Sequence, residues 1–465
     1  MIVVLGGGLA GLSASYGLTE AGADALTVEK ATGLGGLART FSYRGFRFDA
    51  GGHRFLTEKR ELESLIENLI GSRLLHVPRK SRIYINDRYF DYPLKPLNAI
   101  SGLGTGTAIR VIYDYLKQKA GVLLREPRIN SLEDWVVHQF GRKIFEIYFR
   151  DYTEKVWGLS CNKVSKEWVA QRIKGLSLWD AIKNGVLGIR RAGLRTLTDS
   201  FLYPSGGIGE IPERLAAKIR TRNEILTGTD VLEISHDGSF IQKITLANRK
   251  GLTDVSGDEY ISTIPVTSLL ELLNPPPPDD ILRTASRLQY RDLVVVTILL
   301  NRKQMTDLTW LYFPQREIPF GRLHEPKNWS PEMAPEDKTH LVIEYFCSEG
   351  DGTWNRNDKG LIKDTSEHLS RLGFFKEDEV MDGVVIRMKN AYPLFDIHYR
   401  ERINLITEFL GTFRNLHLAG RTGTFSYLNM DHAMESGFQV AERLIGKHTS
   451  MDRLHKSLWM SGNPA

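Results

Sequence analysis

Cysteine is almost missing from this chain: Cys161 and Cys347 are the only two in 465 residues, and neither belongs to a C-x-x-C pair. That argues against a disulfide framework and against a cysteine-based metal site, so a reducing cytoplasm is the expected setting and no metal is expected. Long basic tracts are missing too, which argues against nucleic acid as a partner. No apolar run approaches the roughly eighteen residues that cross a bilayer, so an integral membrane protein is not expected. The apolar start, Ile2 to Leu5, has no basic segment before it and runs straight into glycines. It reads as the beginning of a fold, not as a signal peptide. Internal repeats are lacking, and Pro275 to Pro278 is the one low-complexity stretch. Neither sign of charge dominates: 61 Lys and Arg against 56 Asp and Glu leave +5, compatible with an anionic ligand or a membrane surface but demanding neither. What remains is an ordinary globular composition, 42% hydrophobic and 25% charged, in a chain long enough for two domains.

Glycine is plentiful, and its densest use comes first. The strand signal Ile2 to Leu5 leads into Gly6-Gly7-Gly8-Leu9-Ala10-Gly11, a G-x-G-x-x-G. Leu12, Ala14 and Leu18 then keep helical spacing up to Gly22, and a second strand, Ala25 to Val28, ends on Glu29 and Lys30. Gly6 permits the tight turn, Gly8 lets backbone approach a pyrophosphate, and Gly11 lets the helix lie close to the strand. The helix start at Leu9 and Ala10 offers unbonded N–H groups and a positive dipole end to that pyrophosphate. Glu29 is placed to accept hydrogen bonds from ribose hydroxyls. This unit predicts a bound dinucleotide.

Two further glycine clusters follow closely: Gly33-Leu34-Gly35-Gly36-Leu37-Ala38-Arg39-Thr40, then Phe48-Asp49-Ala50-Gly51-Gly52-His53. A nicotinamide-binding unit has no use for them, whereas a flavin nucleotide extends further and needs backbone close to its pyrophosphate and ring. Here the sequence resembles the FAD-binding family that includes amine oxidases, protoporphyrinogen oxidases and UDP-galactopyranose mutases. Those proteins carry the same first motif, an acid about twenty residues on, and a G-G-x-x-x-[ST] element. Amine oxidases commonly place Arg straight after the glycine pair. Leu37 stands there in this chain and the arginine is Arg39, which leans towards the mutase-like and protoporphyrinogen-oxidase-like branches.

The resemblance extends to the end of the chain. Leu418-Ala-Gly-Arg-Thr-Gly-Thr-Phe-Ser-Tyr-Leu-Asn-Met-Asp431 is similar to the mutases' G-R-x-x-T-Y-x-Y-L-D-M-D. It departs at Phe425, where they carry Tyr, and at Asn429, where they carry Asp. The resemblance implies FAD along Gly36, Leu37, Ala38, Gly52, His53 and Val231, with Gly420, Arg421, Leu428, Asn429 and Met430 at its flavin end. A helix beginning at Asp431 would point N–H groups at the flavin pyrimidine.

The middle of the chain supplies candidate substrate residues. Arg150-Asp-Tyr-Thr-Glu-Lys-Val-Trp-Gly158 resembles the mutases' Y-T-E-K-x-W segment and contributes Tyr152 and Trp157. Arg150, Glu154 and Lys155 also fit a solvated ion-pair face. Arg172 follows where the mutase pattern has an arginine near flavin and sugar. Tyr312, Arg322, Tyr392 and Tyr427 complete the candidate substrate set. His53 and Arg172 are the candidate catalytic residues; His53 could bond the flavin or move a proton, or could equally be a packing histidine over a glycine turn. Arg190, Arg191 and Arg195 end an amphipathic pattern that fits a solvated face, an anionic substrate lip or peripheral membrane contact.

The expected fold is α/β: a Rossmann-like, glutathione-reductase-like FAD-binding domain with a mixed α+β substrate domain. The FAD-binding domain is discontinuous, 1–80, 200–275 and 395–447. Residues 81–199 and 285–394 form the substrate domain, and 448–465 a polar tail. A hairpin should turn at Asn86-Asp87, and Ser131 with Glu133 and Asp134 should start a helix. The foremost functional expectation is an FAD-dependent oxidoreductase that moves hydride from a small molecule to flavin N5. A mutase interconverting ring forms of a nucleotide sugar is the second, and a protein that keeps FAD without turnover the third. Substrate, electron acceptor and oligomeric state are not legible.

Overall fold

In the computed structural model of the chain, the described residues are 1–92, 105–124, 129–168 and 200–446. Arg172, the 176–195 segment and the 448–465 tail lie outside them.

A five-stranded, wholly parallel sheet holds the first motif. Its order is Leu416–Leu418, Glu259–Ser262, Ile2–Leu5, Ala25–Val28 and Glu224–Leu226. Strands from three distant parts of the sequence thus lie side by side. Ile2–Leu5 and Ala25–Val28 are buried throughout, as expected of strands covered on both faces. The helix Leu9–Glu20 is buried along its whole length except Glu20, so it carries no polar stripe. The C-terminal helix Met430–Gly446 lies directly on it. A Cβ on Gly437 would fall 2.0 Å from the Ala10 carbonyl oxygen, so the two helices touch backbone to backbone.

A second sheet of four strands, ordered Gly251–Val255, Ile241–Asn248, Asp230–His236 and Leu273–Asn274, backs the first. Val3, Leu5, Val28 and Tyr260 share one apolar cluster with Ile234, Ile244 and Leu246 of this sheet. Val231, half-buried, packs at the edge of the same cluster.

The third sheet has seven strands: Val380–Pro393, Tyr290–Leu300, Thr339–Cys347, Arg322–His324, Trp310–Tyr312, Ser81–Ile85 and Arg88–Asp91. All neighbours are antiparallel except Trp310–Tyr312 beside Ser81–Ile85. The hairpin turns where the sequence predicts it: Asn86 and Asp87 both take positive φ, 50° and 58°, the combination a two-residue turn needs. A helical layer covers the other side, with Leu132–Phe140 and Arg150–Trp157 packed around Val136, Phe145 and Tyr148. Ser131 caps the first of these helices: the Asp134 N–H donates to its Oγ at 3.1 Å and the Asp134 carboxylate accepts from the Ser131 N–H at 3.0 Å.

Lys155 corrects the reading of a solvated ion-pair face. Its Nζ donates to the carbonyls of Phe313, Gln315, Ile318 and Phe320 at 2.5–3.2 Å. It thereby pins Arg150–Trp157 to the loop after Trp310–Tyr312. Burial pulls its pKa down to about 7, while the ring of carbonyls favours the ammonium. Arg150 and Glu154 do meet charged partners, Glu146 and Arg316. At the C-terminal end of this helix the buried Arg291 donates to the Lys155, Val156 and Phe346 carbonyls, a cation on the negative end of the helix dipole.

Candidate cofactor and substrate site

The first glycine motif is built for close approach. Gly6 takes φ +105°, and a Cβ on Gly11 would lie 1.9 Å from the Gly6 carbonyl oxygen. Gly8 behaves differently. A Cβ there would meet only the Gly36 Cα, at 3.9 Å. The space above Gly8 is therefore a groove walled by two glycines. No side chain caps the helix at Gly8, and its first turn contains no acid. Its leading N–H groups are left for an anion, which is the environment a pyrophosphate requires. Glu29 accepts from the Gly7 N–H at 2.6 Å and the Ala31 N–H at 2.8 Å, which fixes its carboxylate at the strand end beside the motif. Lys30 is exposed and pairs with Asp230 at 2.7 Å. Gly35 bridges to Gly8 and donates to the Gly7 carbonyl at 2.8 Å, so the second cluster lines the same groove. Ala38 is buried behind it, while Leu37 packs with Phe48 and Phe346.

The two ends of the chain meet here. A Cβ on Gly420 would approach the Ala10 Cβ to 2.8 Å. Thr263 stitches the junction: its hydroxyl donates to the Leu5 carbonyl at 2.9 Å, and its own carbonyl accepts from the Thr422 hydroxyl at 3.0 Å. Met430 is buried in the cluster that holds Leu9 and Leu12. Arg421 points its guanidinium into its own loop, donating to the Leu428 carbonyl (2.5 and 2.8 Å) and the Ala391 carbonyl (3.0 Å), with the rings of Tyr392 and Tyr427 5.4 and 5.2 Å away. It shapes the loop that ends at the exposed Asn429.

Phe425, the departure from the mutase pattern, takes φ +46° and buries its ring against Tyr290 and Phe395. It joins the core cluster between the first two sheets, against which Tyr427 also packs.

His53 sits where the two motifs and the third sheet converge. Its Nδ1 lies 3.3 Å from the Gly51 carbonyl. Burial, then the charges of Arg421 and Arg322, bring its pKa down to about 4, so the imidazole is neutral at neutral pH. Gly52 has no room for a side chain, since a Cβ would lie 2.4 Å from the Trp310 indole. Its N–H donates to Glu344 Oε1 at 3.0 Å.

Six of the seven candidate substrate residues come together beside this loop; the seventh, Arg172, is outside the described residues. Tyr392 stacks on Tyr427 (5.9 Å), and Trp157 meets both edge-on (6.2 and 6.3 Å). Tyr152 meets Tyr312 edge-on at 6.0 Å. Arg322 donates to the Tyr392 hydroxyl at 2.9 Å and pairs with Glu344 at 2.5 Å. Burial raises the Tyr152, Tyr312 and Tyr392 phenols, keeping them protonated donors. Burial by itself would lower Arg322, but Glu344 and the surrounding phenols hold it well above its usual value. Arg54 lies over Trp310 and Arg79 over Tyr92, and both act on Tyr312.

Glu344 and Asp49 were not among the candidates. Glu344 had a sequence signal: it is the lone acid inside the apolar run Leu341–Cys347, where a buried charge needs a partner. Asp49 is fully enclosed, accepting from the Thr40 hydroxyl (2.6 Å), the Tyr203 hydroxyl (2.6 Å) and the Ile208 N–H (3.2 Å). Burial pushes its pKa up to about 7. It ties the strand before the His53 loop to the segment after Ser200–Pro204.

The family of flavin-containing amine oxidoreductases matches residues 9–445. The chain belongs to that family. It is a flavoenzyme that binds FAD, and the glycine groove and its free helix N-terminus fit that group. Solved structures agree in fold. A reduced UDP-galactopyranose mutase aligns with TM-score 0.83 at 24% identity, over 98% of this chain and 97% of the other. A putative protoporphyrinogen oxidase from Exiguobacterium sp. 255-15 aligns at 0.73 and 19%, over 96% and 98%. A redesigned putrescine oxidase aligns at 0.63 and 15%, over 96% and 98%. Among the described residues no helix is long and apolar enough to cross a membrane, and no group of three or more metal-ligating side chains occurs.

Proposed function

We propose that this flavoenzyme oxidises a small organic substrate, taking hydride from a carbon held against the aromatic wall of Trp157, Tyr392 and Tyr427. The observation that carries this reading is the charge state of that wall. Arg322 is neutralised by Glu344, and Arg421 is engaged by carbonyls. The Tyr152 and Tyr392 phenols stay protonated and His53 stays neutral. A wall of aromatic rings, with its one buried ion pair internally compensated and its imidazole neutral, favours a substrate that reacts at a C–H bond, with water excluded. FAD, when bound, supplies the two-electron acceptor for that hydride. Tyr392 and Tyr152 offer O–H donors to orient the substrate. Neutral His53 can accept the proton released as the substrate's amine or hydroxyl becomes an imine or carbonyl.

A ring-interconverting mutase is the second reading. It is favoured by Arg54 and Arg79 near Tyr312, which add positive charge suited to a diphosphate. One anaerobic experiment separates the two. Candidate amines, alcohols and UDP-sugars are added to the oxidised and the dithionite-reduced protein. Bleaching of the oxidised flavin by substrate supports the oxidoreductase. Ring-size exchange seen only with reduced protein, and no bleaching by any amine or alcohol, overturns it in favour of the mutase.

A further inference from the structure

We propose that Glu344 is a positioning residue for His53, acting through the single peptide unit that joins Gly51 to Gly52. That unit is held from both sides. Its N–H, on Gly52, donates to Glu344 Oε1 at 3.0 Å. Its carbonyl, on Gly51, accepts from the His53 backbone N–H at 2.9 Å and faces His53 Nδ1 at 3.3 Å. A carbonyl can only accept, so Nδ1 carries the hydrogen. The buried ring is neutral, and its lone pair therefore lies on Nε2. Among the described residues Nε2 has no hydrogen-bond partner.

The turn holds this peptide weakly by itself. Asp49 to Gly51 and Gly51 to His53 are each closed over three residues, and so short a span bends the hydrogen bond. Glu344 ties the peptide to the seven-stranded sheet instead. Its side chain is fully buried, and Arg322 takes its second oxygen at 2.5 Å. A carboxylate is a stronger acceptor than a neutral group. By polarising the peptide it also makes the Gly51 carbonyl a better acceptor for the Nδ1 hydrogen. The glycines fit the same arrangement: Gly51 takes φ +96°, and Gly52 has Trp310 against it. Arg322 also donates to the Tyr392 hydroxyl, so one carboxylate anchors both the imidazole and a phenol of the aromatic wall. What Nε2 accepts rests on the hydride-transfer reading above; the tautomer does not.

The test reads the His53 tautomer by long-range proton–nitrogen NMR on the FAD-loaded protein labelled at histidine nitrogen, with His53→Asn to assign the signal. It uses no substrate, so failure to find an oxidised substrate would sink the functional reading and leave this one standing. The unsubstituted protein should show the Nδ1–H form. Two double variants remove the ion pair without stranding a buried charge. Arg322→Met with Glu344→Gln keeps an oxygen for the Gly52 N–H and should hold the tautomer ratio within about twofold. Arg322→Met with Glu344→Leu offers none and should shift the ratio about three- to tenfold towards Nε2–H, the weight of one hydrogen bond. FAD content reports folding in each. If the leucine variant does not fold, Glu344→Gln alone gives the same shift, because its amide turns oxygen to Arg322 and NH2 to Gly52. An Nε2–H imidazole in the unsubstituted protein overturns the proposal. So does a ratio that the loss of the acceptor leaves unchanged, which would reduce Glu344 to the partner of Arg322.

Discussion

Gly8→Ala should separate cofactor binding from folding. Gly8 has φ −77° and ψ 177°, a conformation open to alanine without strain. The added methyl would meet only the Gly36 Cα at 3.9 Å, an ordinary contact. Two small effects act on the cofactor-free protein. Loss of backbone freedom in the unfolded chain stabilises by about 0.4–1 kcal/mol, and alanine is a poorer N-cap than glycine by a similar amount. They nearly cancel, so the apoprotein should melt within about 1 °C of the unsubstituted chain. FAD feels the change fully, because the methyl occupies the groove between Gly8 and Gly36. Losing one hydrogen bond from backbone N–H to a charged phosphate costs about 1.5–3 kcal/mol, or roughly a ten- to hundredfold rise in Kd. The matched control is Gly437→Ala. Its Cβ would fall 2.0 Å from the Ala10 carbonyl oxygen, with backbone on both sides and nothing flexible to yield. Overpacking of that kind costs about 1–3 kcal/mol and should lower the apoprotein's own melting temperature. The assays are thermal melting of both deflavinated variants and titration with FAD by flavin fluorescence. Unchanged FAD affinity in Gly8→Ala would remove the pyrophosphate from this turn. A fall in apoprotein stability as large as that of Gly437→Ala would make Gly8 a structural glycine.

Three further outcomes follow from buried titratable side chains: Glu344, Asp49, and His340, which packs against Phe46 and Phe48. Glu344→Gln leaves the Arg322 guanidinium buried without its carboxylate and should destabilise the protein by about 3–5 kcal/mol in urea unfolding, whereas the paired change Arg322→Met with Glu344→Leu should recover most of that; equal stability of wild type and Glu344→Gln would contradict the pairing. His340 is buried with its pKa lowered to about 3, below its unfolded value, so its contribution is complete above about pH 6.5 and is lost as pH falls towards 3; His340→Leu should flatten that limb of a pH–stability curve. Asp49 has the opposite sign: its folded pKa, about 7, lies above the unfolded one, so the contribution present below about pH 4 is lost as pH rises through 7. Asp49→Asn should therefore gain on wild type between pH 5 and pH 8 (roughly, by the same linkage), and a parallel pair of curves would refute the burial of a titrating carboxyl.

The local features were legible because local chemistry alone decides them. Gly6, Gly8 and Gly11 announce a strand, a tight turn and a helix that must come close, and Asn86-Asp87 and Ser131 carry the chemistry of a turn and a cap. Phe425 and Lys155 could not be read the same way. A pattern of residue types does not say which side of a loop a ring takes, and Phe425 turned to the core. Lys155 sits at a surface-like spacing, yet its ammonium found four carbonyls from residues more than 150 positions away.

The sequence by itself determined the cofactor, because a pyrophosphate is gripped by backbone, and the absence of side chains at fixed spacing is written directly in glycines. Tertiary structure alone decided the aromatic wall. The register of the seven-stranded sheet sets Arg322 opposite Tyr312 and Glu344 and carries Tyr392, while the helix Arg150–Trp157 and the loop before Met430 add Tyr152 and Tyr427. The charge of that wall was decided there as well, since Arg322 is a bare cation in the sequence and half of a buried ion pair once folded.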